Sequence, residues 1–407
     1  MLRKRLWLAV CLGVTCGWSA AFGQQFFTMT AQTTGATPQS VVVTNNNLLD
    51  LTRDVVNSQN GFSALAGQPF TAGLTWGGVQ NALVLTSNAS ATVVTMTMPQ
   101  TGFSKTFTGA NSQDVQTQIK QFLEKNGPDV YAQFIHKLDE TSLLAVVSGN
   151  PQAMTEIYSM DAYTRYGMNP TFGFMPKSEG SNIQIGADFS GGRASTTSGN
   201  ESYAEADIYG GYRFTNNVAF QIAIPMEFRN NDGAATYMLG LQAGLPITIL
   251  PDRGGNGLFW AVTPWGTVEG GYSPDLLVGG LVGGGGGTSS LNLRTGSWVW
   301  TLADQWSFQT GLPVHYGDYH FDTSANQQLT TNGGKLTYNF GPGYFVDAGA
   351  AYTDVLDSAA RVTDYITVIA GVGAHTGTNS GFTVDYDGDY GHRYRDYGGD
   401  LNVWWSF

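Results

Sequence analysis

The sequence predicts an antiparallel transmembrane β-barrel of about 12 strands, preceded by a smaller α+β domain. Three observations lead there. From residue 181 onward, apolar and polar residues alternate with a period of two over strand-length runs. No stretch after residue 23 holds the roughly 18 consecutive apolar residues of a transmembrane helix. Glycine (54 residues) and aromatics (13%) are abundant while charged residues make up only 12%, which is unusual for a soluble globular chain. A membrane protein without such helices must close its sheet, because each backbone polar group in lipid needs a partner within the protein.

The N-terminus comes first. Arg3, Lys4 and Arg5 form a basic region, Leu6 to Val14 an apolar one, and Ala21-Phe22-Gly23 a small-residue processing site before Gln24. Residues 1–23 therefore read as a secretory signal peptide. Both cysteines, Cys11 and Cys16, lie within it, and neither has the surroundings of a lipidation site. Residues 24–407 hold no thiol for a disulfide, a zinc site or a nucleophile. Without residues 1–23, 16 basic residues remain against 31 acidic ones. That balance argues against nucleic acid, whose binding rests on Lys and Arg neutralising phosphates.

Residues 24–175 read as a soluble α+β domain, either periplasmic, a plug or a displayed passenger. Gln39 to Thr44 and Asn81 to Met98 are strand-like, the second with a break at Ser87–Ser90. Asn111 or Ser112 caps a helix that carries Val115, Ile119, Phe122 and Leu123 at helical spacing, and Gly127-Pro128 ends it. A further helix follows Asp129 with Val130, Phe134, Ile135 and Leu138. A short one precedes it at Leu48, Leu51, Val55 and Val56.

The barrel occupies residues 181–407. In Ser202–Phe214, Ala204, Ala206, Ile208, Tyr212 and Phe214 face one way, while Tyr203, Glu205, Asp207, Tyr209 and Arg213 face the other. After Thr215-Asn216-Asn217, Val218, Phe220, Ile222, Ile224, Met226 and Phe228 face lipid; Gln221, Glu227 and Arg229 face inward. Tyr237 to Ile247 repeats the pattern. Further strands fall at 258–268, 276–285, 288–302, 305–317, 335–353, 361–375, 381–391 and 394–407. The count is about 12, with 10 to 14 open because Gly283 to Gly287 blurs the boundaries across 255–305. A β-sandwich would also alternate, but it leaves the bulky outward aromatics Phe214, Phe228, Tyr237, Trp306 and Tyr316 without a purpose. Membrane barrels place such rings at the two interfaces.

The charged inward positions are the candidate pore lining: Asp385, Asp387 and Asp389 on one strand face, and Glu205, Asp207, Arg213, Glu227 and Arg229 on others. Rings of carboxylates favour cations. Arg393 and Arg395 join the aspartate face only if the strand runs past Gly391. His315 falls at an inward position near a strand end, followed by Asp318 and His320. No Gly-x-Ser-x-Gly elbow, P-loop or dinucleotide fingerprint occurs. The expectation is a protein that is not an enzyme, with no cofactor and no metal.

The last strand carries the most specific pattern. Leu401, Val403, Trp405 and Phe407 share one face, with Asp400, Asn402, Trp404 and Ser406 on the other. This resembles the C-terminal β-signal of Gram-negative outer-membrane β-barrel proteins. The resemblance implies an outer-membrane location, contact with outer-membrane lipid and lipopolysaccharide, and recognition by the barrel-assembly machinery. It implies first a porin-like channel for small polar solutes, here with a cation preference. The alternatives are an autotransporter-like translocator displaying the N-terminal domain, with Pro151 to Tyr166 as a helix through the pore, or a structural or adhesive surface barrel.

Overall fold

A computed structural model of the chain describes residues 26–34, 38–47, 68–125, 151, 153–168 and 182–406, less short stretches at 197–198, 232, 252–256, 276–277, 317–318, 322–325, 342, 357–361 and 376–379, together with scattered positions in 50–65 and 130–137. The expected signal peptide, Phe407, and most of the helices expected at 48–56 and after Asp129 lie outside the described residues.

The N-terminal region is a six-stranded antiparallel sheet. Its strands are β1 (Phe27–Thr33), β2 (Ser40–Asn45), β3 (Phe70–Trp76), β4 (Val79–Ser87), β5 (Val93–Met98) and β6 (Phe103–Thr108), in the order β2-β1-β3-β4-β5-β6. The break expected near Ser87 is the turn between β4 and β5. Helix α1 (Ser112–Lys125) begins where predicted: Asn111 is the cap, its Oδ1 accepting the Asp114 N–H at 2.9 Å. Phe122 of α1 stacks on Phe103 (5.7 Å between centroids) and meets Phe107 edge-on (5.6 Å). Phe27, Leu74, Trp76, Met96 and Val115 complete this core.

The barrel wall begins with β7 (Ile183–Thr196), β8 (Asn200–Arg213), β9 (Ala219–Asn231) and β10 (Ala234–Gly244), which β11 (Ile247–Leu250) continues. It proceeds through β12 (Gly257–Ser273), β13 (Val278–Thr295) and β14 (Trp298–Leu312). The hairpin β15 (Val314–Tyr316) and β16 (Tyr319–Phe321) stands in the following loop. The wall ends with β17 (Asn326–Asn339), β18 (Tyr344–Val355), β19 (Asp364–His375), β20 (Ser380–Gly391) and β21 (Tyr394–Ser406). β10 and β11 form one wall strand: Tyr237 to Gly244 pair with Tyr272 to Trp265, and Ile247 pairs with Val262. Pro246 interrupts it, having no N–H for the ladder. β10 pairs with β12, and β21 pairs with β7 from Tyr394↔Thr196 to Ser406↔Gln184, which closes the sheet on itself. The result is a closed antiparallel barrel of 12 wall strands.

Individual boundaries differ from expectation across the glycine run. Gly283 to Gly287 sit inside one long strand, β13, paired on both sides. The three strands expected over 276–317 are two, β13 and β14. The single strand expected at 335–353 is two, β17 and β18, turning at Gly341 and Gly343, both with positive φ. The two discrepancies cancel in the count. His315 and His320 pair across the β15–β16 hairpin, a two-stranded sheet separate from the wall.

Outside and inside divide as a lipid-immersed barrel requires. Among the described residues, every exposed large apolar side chain except Val42 and Val93 lies between Ile183 and Trp405. A contiguous apolar surface of that extent is incompatible with water. On β9, Phe220, Ile222, Ile224, Met226 and Phe228 are exposed, while Gln221, Ala223, Glu227 and Arg229 are buried. Aromatics gather near both rims. Tyr212, Phe214, Trp298, Tyr338 and Tyr344 ring the rim where β21 ends; Phe228, Tyr237, Tyr272, Tyr390 and Tyr397 ring the opposite one. Trp306 is outward but mid-strand, and Tyr316 belongs to β15.

Two adjacent glycines test this division. An added Cβ at inward Gly286 would meet the Trp306 carbonyl oxygen at 2.4 Å and Trp265 at 2.9 Å, whereas at outward Gly287 it meets nothing within 4 Å. Gly286→Val should destabilise the folded barrel by about 1–3 kcal/mol through overpacking. Gly287→Val should leave the thermal unfolding midpoint in detergent nearly unchanged.

Candidate functional site

A helix runs inside the barrel. The segment expected between Pro151 and Tyr166 is α2 (Met154–Tyr163), extended by a wider π-type turn over Thr164–Met168. It has two faces at helical spacing. Tyr158, Ser159, Tyr163, Tyr166 and Gly167 pack against the wall formed by β10 to β17. Ile157, Met160, Asp161, Thr164, Arg165 and Met168 line the cavity left on the other side.

The packed face is held mainly by uncharged polar groups. Ser159 Oγ lies 2.7 Å from Ser307 Oγ, and Gln305 Nε2 donates to the Ser159 carbonyl oxygen at 2.7 Å and to its Oγ at 3.0 Å. Gln305 Oε1 in turn accepts from Thr288 Oγ1 at 2.7 Å. Gln242 Nε2 donates to the Tyr158 carbonyl oxygen (3.1 Å), Tyr163 OH to the Ala303 carbonyl oxygen (3.2 Å), and Ser290 Oγ to the Gly167 carbonyl oxygen (2.7 Å). Near the helix start, Gln327 Nε2 reaches Glu156 Oε1 at 2.6 Å. Gly244 has no room for a Cβ, which would stand 2.6 Å from the Tyr166 ring. Each hydrogen bond to a buried backbone carbonyl spares the desolvation cost of leaving it unmade.

These contacts fix the direction of the chain. Gln327 stands at the start of β17, on the rim opposite the end of β21; Ser290 lies in the half of β13 nearer that end. The helix therefore enters at the rim that carries the 231–234 and 273–278 turns and descends toward the rim where β7 begins. The N-terminal sheet sits at the entry rim. Asn47 Nδ2 donates to Asp275 Oδ1 at 2.8 Å, and Met154, Tyr158, Ala234 and Met238 join the same apolar cluster as Phe27 and Trp76.

The remaining cavity has a volume of about 310 Å³ and is acidic: ten carboxylates line it against Arg165, Arg294 and Lys335. Asp385, Asp387 and Asp389 all face it, as do Glu205, Asp207 and Glu227. Asp389 accepts from Thr367 Oγ1 at 2.6 Å, and Lys335 pairs with Asp347 at 3.3 Å. Arg165 reaches back from the helix to Asp207 and, at 2.8 Å, to Gln242 Oε1. Two expected lining residues stand elsewhere. Arg213 ends β8 and is not among the cavity-lining residues. Arg229, 1% exposed, is locked between Glu227 (2.6 Å) and Glu201 (3.1 Å) beside the entry rim. Gly391 is followed by a turn at His392–Arg393, so Arg395 belongs to β21 and faces outward, away from the aspartates. Leu401, Val403 and Trp405 share the outward face of β21, with Trp404 buried inside.

Asp161 and Arg165 lie on the helix, outside the period-two alternation that marks inward charges on the strands. Their signal was a spacing of four on a helix whose only other charged residue is Glu156. Asp161, Glu205 and Asp207 bring carboxylate oxygens within 4.8 Å of one another.

No protein-family model matches the chain, and no curated protein matches it. Solved structures similar to it are outer-membrane β-barrels. The translocator domain of autotransporter NalP from Neisseria meningitidis is 9% identical, with a TM-score of 0.43 over 62% of this chain and 96% of that one. An outer membrane channel from Pseudomonas putida F1 is 11% identical, with a TM-score of 0.44 over 58% and 98%. The transport unit of the autotransporter AIDA-I from Escherichia coli is 13% identical, with a TM-score of 0.39 over 61% and 97%.

The Arg229 cluster yields a stability test. Arg229→Met strands two buried carboxylates and should cost about 3–5 kcal/mol. Adding Glu201→Gln and Glu227→Gln should recover more than half of that loss, read from thermal unfolding in detergent.

Proposed function

We propose that this protein is an outer-membrane display barrel, in which a helix through the lumen tethers the N-terminal α+β domain outside the cell. The observation that carries the reading is the direction of the chain: domain at one rim, helix descending through the lumen, first wall strand starting at the other rim. Membrane barrels of this class have short periplasmic turns and longer extracellular loops. Here the two longest connections, 313–325 and 356–363, lie on the rim that bears the N-terminal domain. That rim is therefore assigned to the exterior. The helix fills the β10–β17 side of the lumen, which favours a tether over an open solute pore.

The residues from Gln24 on lack cysteine, so a single introduced thiol reports topology cleanly. In intact Gram-negative cells, a membrane-impermeant maleimide should label Ser104→Cys, on the exposed surface of β6. Asn216→Cys, in the turn after β8, should react only after the outer membrane is permeabilised. The reverse pattern refutes surface display.

A second reading, a cation-preferring channel for small polar solutes, draws on the acidic cavity wall beside the helix. Planar-bilayer recordings test it. The combined change Asp385→Asn, Asp387→Asn and Asp389→Asn should then reduce cation-over-anion selectivity several-fold, and unchanged selectivity removes this reading.

A further inference from the structure

The cavity contains a place where the helix and the wall bring together more negative charge than the surrounding protein neutralises. Asp161 comes from α2; Glu205 and Asp207 come from β8. One carboxylate oxygen from each of the three lies within 4.8 Å of the other two. Arg165 pairs directly with one of the three, through Asp207 Oδ2. Asp207 is 4% exposed, and its other oxygen, Oδ1, is buried without a hydrogen-bond partner; so is Asp161 Oδ2. Glu205 keeps one contact, accepting from Ser190 Oγ at 3.1 Å. Buried carboxylate oxygens left unmatched cost several kcal/mol per ion, so the arrangement calls for a positive partner.

We infer that Asp161, Glu205 and Asp207 form a divalent-cation site that pins the luminal helix to β8. Three carboxylates beside one guanidinium leave two negative charges, the complement of one divalent ion. The donors are all hard oxygens, which suits calcium or magnesium and gives soft transition metals no advantage. Spacing separates these two. Calcium takes oxygens at about 2.3–2.6 Å, so ligands on opposite sides of the ion stand up to roughly 5 Å apart; magnesium at about 2.0–2.1 Å reaches only about 4 Å. A spread of up to 4.8 Å lies within calcium's reach. Because the ligands come from two elements, bound calcium would resist withdrawal of the helix. The inference concerns binding alone and stands or falls independently of which side of the membrane holds the N-terminal domain.

Terbium is a luminescent substitute for calcium that nearby tyrosines sensitise. Titrated into the full-length protein in detergent, Tb³⁺ should bind saturably and be displaced by Ca²⁺, and Ca²⁺ should raise the thermal midpoint. Asp161→Asn and Glu205→Gln should each weaken Tb³⁺ binding at least tenfold and abolish the Ca²⁺-dependent rise. Asp364→Asn, at the rim, should change affinity less than twofold. Absence of saturable binding in the unsubstituted protein overturns the inference. So does unchanged affinity in folded Asp161→Asn, or an equal loss in Asp347→Asn, which would spread the ion over the whole acidic wall.

Discussion

Everything in this structure follows from the requirement that no backbone N–H or C=O meet hydrocarbon unpaired. The chain meets it by pairing β21 with β7 along their whole length, so that the sheet has no free edge. Closure then creates an interior, and the interior creates the second problem. Twelve strands enclose more space than their own side chains fill. The helix supplies the missing bulk, and because its backbone bonds are internal it can do so without demanding partners along its length. What its buried carbonyls gain beyond that comes from Gln242, Gln305 and Ser290.

The lumen is therefore divided by chemistry. One half is mostly uncharged and polar, built of Gln, Ser and Thr around the buried Glu156 and Glu269, and it grips. The other half is acidic and holds a cavity. A seat made of charged pairs would have carried a large desolvation cost on burial; amides and hydroxyls hold the helix for less. The ion pair between helix and wall, from Arg165 to Asp207, lies at the border between the two halves.

Much of the barrel was legible in the sequence because lipid and lumen impose opposite polarities on alternate residues. β8, β9 and β10 show this cleanly, and their faces are as the alternation predicts. Legibility fails where side chains vanish: Gly283 to Gly287 carry no pattern, so one continuous strand reads as two. It fails again where a strand is short and its outer face semi-exposed, as for β1, β3 and β6 of the N-terminal sheet. The inward faces of Asp385, Asp387 and Asp389 could be read, but the partners across the lumen could not. Asp161 meets Glu205 and Asp207 only because a helix from another part of the chain lies between the walls, and no local spacing records that.

The position of the N-terminal sheet has a consequence for the order of assembly. Its six strands, at about 4.8 Å spacing, span roughly 24 Å between the outermost strand axes, too broad a body to slide through a lumen that one helix half fills. Yet residue 154 lies at one rim and residue 183 at the other. The domain must either cross as an unfolded thread and fold afterwards, or arrive before the β7–β21 seam is sewn. In both cases the seam is a temporal boundary as well as a spatial one: once it has shut around the helix and the domain beyond has folded, the chain is threaded irreversibly, like a bead knotted on the far side of its string.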